Sequence, residues 1–121
     1  MTRVAGQIEP GPGAPHRLFV LERPIVSDRS ATFTLRSARA ASRRGEAVVV
    51  FLLRDALPES QALNDEIHVI RQLLDAGVVV YADGECPEVS TGVSSLTSVR
   101  PGTEEILSDL LLLPGVQTTW C

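Results

Sequence analysis

The sequence has no lysine, and all of its basic residues are arginine. The 11 basic residues stand against 15 acidic ones, so the formal net charge is −4. Proteins that bind nucleic acid depend on clustered cations that neutralise phosphates. The charge balance therefore argues against nucleic acid as a main partner.

Long apolar runs and cysteine are also scarce. The longest apolar runs, 47–53 and 110–113, fall far short of the roughly 20 residues that cross a bilayer. Residues 6–15 are rich in glycine and proline where a signal peptide would be apolar. Two cysteines are too few for a disulfide framework. We therefore expect a cytoplasmic protein with free thiols and no membrane partner.

Short apolar runs alternate with amphipathic segments, as in parallel strands joined by crossover helices. Strands are predicted at 17–22, 46–53, 78–82 and 116–120, with a short further strand within 93–100. Helices are predicted at 29–44, 64–76 and 103–113. The first begins after the capping residue Asp28, and the other two begin at the capping residues Asn64 and Thr103. A short helical turn is expected at 86–92, and Pro101–Gly102 is expected to break the chain.

This order of elements predicts one α/β domain. The fold class is a three-layer sandwich, in which a mostly parallel sheet of about five strands carries helices on both faces. Residues 1–16 are expected to form a flexible N-terminal lead-in, and residues 17–121 the single domain.

Cys86 is the best-placed chemical group, because it follows the third predicted strand and directly precedes Pro87. Proline favours the first position of a helix, so Cys86 fits the N-cap of a short helix. Open parallel sheets hold their sites beyond the carboxyl ends of the strands. If the first and third strands are neighbours, the loop 23–28 faces Cys86 across that crevice. A thiol there would be reachable, and its thiolate is the reactive form.

Opposing charges surround this thiol. A helix N-terminus favours the thiolate by about 0.3–1 kcal/mol. Each nearby carboxylate, from Asp83, Glu85 or Glu88, disfavours it by roughly 0.7 kcal/mol at about 6 Å in a water-like dielectric. Two or three of them cancel the helix contribution unless Arg23 or Arg29 comes close. The surroundings also fit an ordinary, half-buried thiol.

Other side chains support weaker predictions. Arg23 and Arg29, beside a helix N-terminus, could bind a small anion or a nucleotide phosphate, although no glycine-rich loop follows the first strand. Cys121 is either a bystander or a mobile second carrier, and His16 has no evident partner. His68 lies on the polar face of the second helix. No His/Cys cluster has metal spacing, so neither a metal nor a cofactor is expected.

The first predicted helix carries a stripe of arginines at Arg29, Arg36, Arg39 and Arg43. Such a stripe is typical of a solvated helix face. It could also dock an acidic partner.

Several segments together resemble the DsrE/DsrF/DsrH superfamily, which includes the Tus sulfur-relay subunits. They are the strand RLFVLE, the segment SRRGEAVVVFLLRDAL, the segment LLDAGVVVYADGEC and the closing TEEILSDLLLLPGVQTTW. The resemblance covers about residues 17–120. It departs from the family pattern where an Arg-Gly pair commonly closes the short helix, since Thr91 precedes Gly92 here.

The resemblance implies a DsrE-like sulfur carrier, a possible sulfurtransferase, that accepts sulfur as a persulfide on Cys86. It also implies sulfur donor and acceptor proteins, and a homo- or hetero-oligomer, trimeric or hexameric, that would suit the apolar stretch 110–113 and Trp120. Since many relatives lack the cysteine, the alternative is a non-catalytic assembly or binding subunit in which Cys86 is incidental.

Overall fold

The computed structural model describes residues 15–53, 56, 64–83 and 99–121. The elements, in chain order, are β1 Arg17–Leu21, α1 Arg29–Arg43, β2 Val48–Leu52, α2 Asn64–Asp75, β3 Val79–Asp83, β4 Arg100–Gly102, α3 Glu104–Leu111 and β5 Gln117–Trp120. The strands predicted at 17–22, 46–53, 78–82 and 116–120 and the three long helices are confirmed, with shifts of a few residues at their ends. The short strand predicted within 93–100 shares only Arg100 with β4. The predicted turn at 86–92 lies outside the described residues.

The five strands form one parallel sheet in the order β4-β3-β2-β1-β5. The chain moves in one direction from β1 to β4 and then returns to the far side of β1 for β5. The condition that the first and third strands are neighbours is therefore wrong. β2 lies between them. Its five residues are all buried, as expected of a central strand covered on both faces.

Alternate residues of the central strands face different helices. Val48, Val50 and Leu52 belong to the core beneath α1 and α2, whereas Val49 and Phe51 belong to a smaller cluster beneath α3. This is the period-two geometry of a strand. The α/β three-layer architecture with helices on both faces is confirmed.

Small residues let α1 pack closely on the sheet. Ala31, Ala38 and Ala41 are fully buried, and Leu35 joins them in the core. At the C-terminal end of α1 the Ser42 hydroxyl donates to the Ala76 carbonyl, 2.6 Å away, just past the end of α2. The two helices are thereby held side by side on one face of the sheet.

β4 corrects the prediction that Pro101–Gly102 breaks the chain. Both residues belong to the strand, which lies at the border of the sheet and, among the described strands, pairs only with β3. Proline is tolerated there because an edge strand does not need every N–H for the sheet ladder. Gly102 is required by space, since a Cβ atom at this position would lie 2.5 Å from Cζ of Phe51.

His16 has partners, contrary to expectation. Its Nδ1 accepts from the Ala47 N–H at 2.9 Å, and its own backbone N–H donates to the Ala47 carbonyl at 2.7 Å. The Gln117 N–H donates to the His16 carbonyl at 3.1 Å. His16 therefore continues the pairing of β1 with both neighbouring strands. The division into a lead-in and a domain otherwise stays a prediction.

Candidate functional site at the carboxyl end of the sheet

The carboxyl ends of all five parallel strands meet at one side of the sheet, which is where ligand sites form in open α/β folds. β3 ends there at Asp83. Cys86 follows Asp83 by three residues and lies outside the described residues.

A small cavity of about 120 Å³ lies at the ends of β2, β3 and β4. Its lining includes the carboxylates of Asp83 and Glu104 together with Thr103. Thr103 is the N-cap of α3, and its hydroxyl oxygen accepts from the Ile106 N–H at 3.2 Å. No arginine, histidine or cysteine is among the described residues that line it. Sequence reasoning missed Glu104, because only the parallel pairing of β4 with β3 brings it to Asp83.

Arg23 lies at a different part of this end of the sheet, in the loop after β1. Its Nη1 is 3.3 Å from Oδ2 of Asp28. β2 separates β1 from β3. The axes of β1 and β3 are therefore roughly 10 Å apart. The ion pair therefore holds Arg23 beside α1 and away from the end of β3.

Asp28 caps α1, as predicted. Its carboxylate accepts from the Ala31 N–H at 3.0 Å, and this bond, helped by Arg23, lowers the pKa of Asp28 against an opposing desolvation. Arg29, the first residue of α1, is exposed and lines a shallow groove with Phe33 and Arg36. An anion at this helix end would have to compete with the Asp28 carboxylate. Anion binding by Arg23 and Arg29 stays a prediction.

Cys121 is held at the same end of the sheet, contrary to the expected mobility of a chain-end thiol. Its backbone N–H donates to the Val20 carbonyl at 2.8 Å, and its own carbonyl accepts from the N–H groups of Glu22 and Arg23. The thiol is free, partly buried and packed against the core. The strand that directly precedes Cys121 was the signal, since the pairing of β5 continues into it.

The described residues contain no group of three or more His, Cys, Asp or Glu side chains suited to holding a metal ion. His68 instead contacts Gln72, with 3.2 Å between the Nε2 atoms. Within the described part of the chain, no helix is both long and apolar enough to cross a membrane.

Two solved structures share this architecture over nearly their whole length. A conserved protein of unknown function from Bacteroides thetaiotaomicron superposes with a TM-score of 0.66 at 18% identity, covering 88% of this chain and 95% of that one. The ychN protein from E. coli superposes with a TM-score of 0.60 at 22% identity, covering 84% and 97%. The fold is DsrE-like.

These likenesses extend to the fold alone, because one fold hosts many unrelated functions. No protein-family model matches the chain, and no curated protein matches it.

Proposed function

We propose that this protein is an intracellular sulfur carrier that takes up sulfur as a persulfide on Cys86. The observation that carries the proposal is the end of β3 within a DsrE-like parallel sheet. Cys86 comes three residues after Asp83, and three residues of chain extend over about 10 Å at most. The proposal therefore puts the reacting thiol on the side of the sheet where open α/β folds hold their sites.

The transfer needs no cofactor. The Cys86 thiolate attacks the outer sulfur of a donor persulfide, the sulfur–sulfur bond of the donor breaks, and the donor leaves as a thiolate. Cys86 then carries the persulfide, and an acceptor thiolate removes its outer sulfur in the same manner. One sulfur–sulfur bond forms for each that breaks, so no external oxidant or reductant is consumed.

Acidic residues around Cys86 are expected to slow its uptake of sulfur. Glu104 lines the cavity at the end of β3, and Glu85 and Glu88 flank Cys86 in the sequence. Nearby negative charge disfavours ionisation of a thiol. We therefore expect uptake to need an activated donor, such as a polysulfide or a donor protein persulfide.

The same charges favour a second candidate function, that of a non-catalytic assembly or binding subunit with an incidental Cys86. The exposed strand β5 supports it too, because all four of its residues are open to solvent. This candidate predicts that assembly survives Cys86→Ser. A monomeric wild type in light scattering would count against it.

Sulfur uptake is testable by intact mass. The reduced full-length protein is treated with a limiting amount of polysulfide, and the mass is recorded over time. We expect the wild type to gain the mass of one sulfur atom and to lose it on treatment with a thiol. Cys86→Ser should abolish this gain.

Cys121→Ser is the matched control, because Cys121 is the other thiol of the chain and a free one. It should take up sulfur as the wild type does. A wild type that gains no sulfur refutes the carrier function. A gain that survives Cys86→Ser and disappears in Cys121→Ser would assign the function to the other thiol.

A further inference from the structure

A second concave feature lies outside the carboxyl end of the sheet, on its helical face. It is a groove between α1 and α2 with a volume of about 480 Å³. This volume falls in the range of about 300–1,000 Å³ typical of small-molecule sites. Both helices run antiparallel to the strands, so they lie parallel to each other and form the two walls.

The floor of the groove is apolar. Leu35 of α1 and Leu73 of α2 line it and are almost completely buried, as is Ile25 from the loop after β1. Val69 adds a partly buried side chain from α2. An apolar floor stabilises a ligand through the apolar area that it removes from water.

The walls are cationic on one side and polar on the other. Arg36 and Arg39 of α1 line one wall, one helical turn apart, and His68 and Gln72 of α2 line the other. Among the described residues that line the groove, Asp65 is the single acidic one. The groove thus concentrates positive charge on a protein whose net charge is −4. Sequence reasoning placed the arginines and His68 on separate helix faces and did not bring them together.

Arg39 is the most informative of these residues. Its Nε atom is shielded from solvent and has no hydrogen-bond partner among the described residues. A buried donor without a partner is unfavourable, because it has lost its hydrogen bonds to water. Neither Arg36 nor Arg39 is in an ion pair with a described residue, in contrast to Arg17, Arg23 and Arg44. The guanidinium charges of Arg36 and Arg39 are thus not neutralised by a described carboxylate and can attract an anion into the groove.

We infer that the groove between α1 and α2 binds an amphipathic organic anion, meaning a carboxylate, sulfonate or phosphate on an apolar body. The anionic group contacts Arg36 and Arg39, where guanidinium groups give strong, charge-assisted hydrogen bonds. The apolar body lies against Leu35 and Leu73. This proposal does not depend on Cys86 or on sulfur transfer.

Anilinonaphthalene sulfonate is a suitable probe, because it combines one sulfonate with an aromatic body and its fluorescence reports binding. The full-length protein is titrated with the dye at neutral pH and low salt. We expect one saturable site, and displacement of the dye by naphthoate, which carries a carboxylate on a similar body. Phenylnaphthylamine, which lacks the sulfonate, should bind at least tenfold more weakly.

Charge variants locate the site. Arg39→Gln should weaken dye binding by about tenfold, because a hydrogen bond to a charged group is lost. Arg36→Gln should also weaken it, and this side chain is exposed, so its replacement leaves the fold intact. The matched control is Arg43→Gln, on the same helix but outside the groove lining, which should leave binding unchanged.

Two results would overturn the proposal. If Arg36→Gln and Arg39→Gln bind the dye as the wild type does, the dye occupies another apolar surface, such as that around Leu112 and Trp120. If a hexaglutamate peptide displaces the dye and naphthoate does not, the groove serves an acidic protein segment and not a small molecule.

Discussion

A single glycine governs how β4 approaches the central strands. The Phe51 ring stacks on Tyr81 with 5.7 Å between ring centroids, and its edge reaches the backbone of Gly102. Three strands are therefore joined through one aromatic ring on the α3 side of the sheet. Gly102 also lines the cavity at the end of β3, so its packing supports the candidate site.

We expect Gly102→Ala to destabilise the protein by about 1–3 kcal/mol, the usual range for overpacking a core. The reason is that the added methyl group would lie 2.5 Å from Cζ of Phe51. The measurement is the urea midpoint in a double-mutant cycle with Phe51→Leu. The smaller leucine should relieve part of the loss, so the two changes should not be additive.

Gly45→Ala provides the control for this cycle. Gly45 has φ +94°, and apart from its chain neighbours no heavy atom lies within 4 Å of the position that a Cβ atom would take there. Its substitution therefore strains only the backbone. Its effect should add to that of Phe51→Leu. Equal additivity for Gly102→Ala would contradict the contact with Phe51.

The sequence predicts the contacts of individual residues less well than it predicts strands and helices. Asp28 could be identified as a cap because capping is local, and the structure confirms it. Glu104, in contrast, lines the same cavity as Asp83 only because β4 pairs with β3. The partners of His16 also depend on pairing between strands distant in the chain. Such contacts leave no local pattern.

At the scale of elements, the cap of α1 makes the stability of the protein depend on pH, because the capping residue Asp28 ionises. The lowered pKa of Asp28 has the Ala31 N–H as its main cause and Arg23 as a further one. A carboxyl group whose pKa is lower in the folded state stabilises the fold above its ordinary pKa near 3.8. This contribution is lost as the pH falls through the lower, folded-state pKa.

We therefore expect the stability advantage of the wild type over Asp28→Asn to be present at pH 6 and to shrink as the pH falls towards 3 and below. Asparagine keeps a capping oxygen but cannot ionise. Asp28→Ala, which has no capping oxygen, should stay below Asp28→Asn at both pH values. Urea unfolding of the three proteins measures both differences. A difference between wild type and Asp28→Asn that does not change with pH would contradict the ion pair and the charged cap.

The elements themselves were largely predictable, because amphipathic spacing and turn residues are local signals. α1 is confirmed to within one residue of its predicted end, and β2 was identified as central from its two apolar faces. β4 was misjudged, because proline and glycine normally interrupt strands. Its position at the border of the sheet, which only the assembled topology reveals, explains why both are tolerated.

At the scale of the whole molecule, the border of the sheet that β5 forms is an exposed surface. β5 is exposed along its full length, and Trp120 is 51% exposed. Trp120 pairs with Val20, which faces α3, so it lies on the α3 side of the sheet. At the other end of the strand Leu112 is 81% exposed. We propose that copies of the chain, or related subunits, associate over this border.

Light scattering tests this association. We expect the wild type to form a trimer or hexamer, and Leu112→Glu to raise its dissociation constant at least tenfold, because a charge would be buried in the interface. Trp120→Arg should act in the same direction, as exposed aromatic anchors commonly dominate interfaces. Phe33→Arg is the control, since Phe33 is an exposed aromatic residue on α1. A monomeric wild type, or equal effects of all three variants, would contradict an interface at β5.

Trp120 is the only tryptophan in the chain. Its emission therefore reports on one border of the sheet without contributions from any other indole. Quenching by iodide should fall when β5 is covered, and occupancy of the groove between α1 and α2 is followed separately by the emission of the bound dye. Because the dye absorbs light where tryptophan emits it, the two optical signals are read in separate samples, one for assembly and one for ligand.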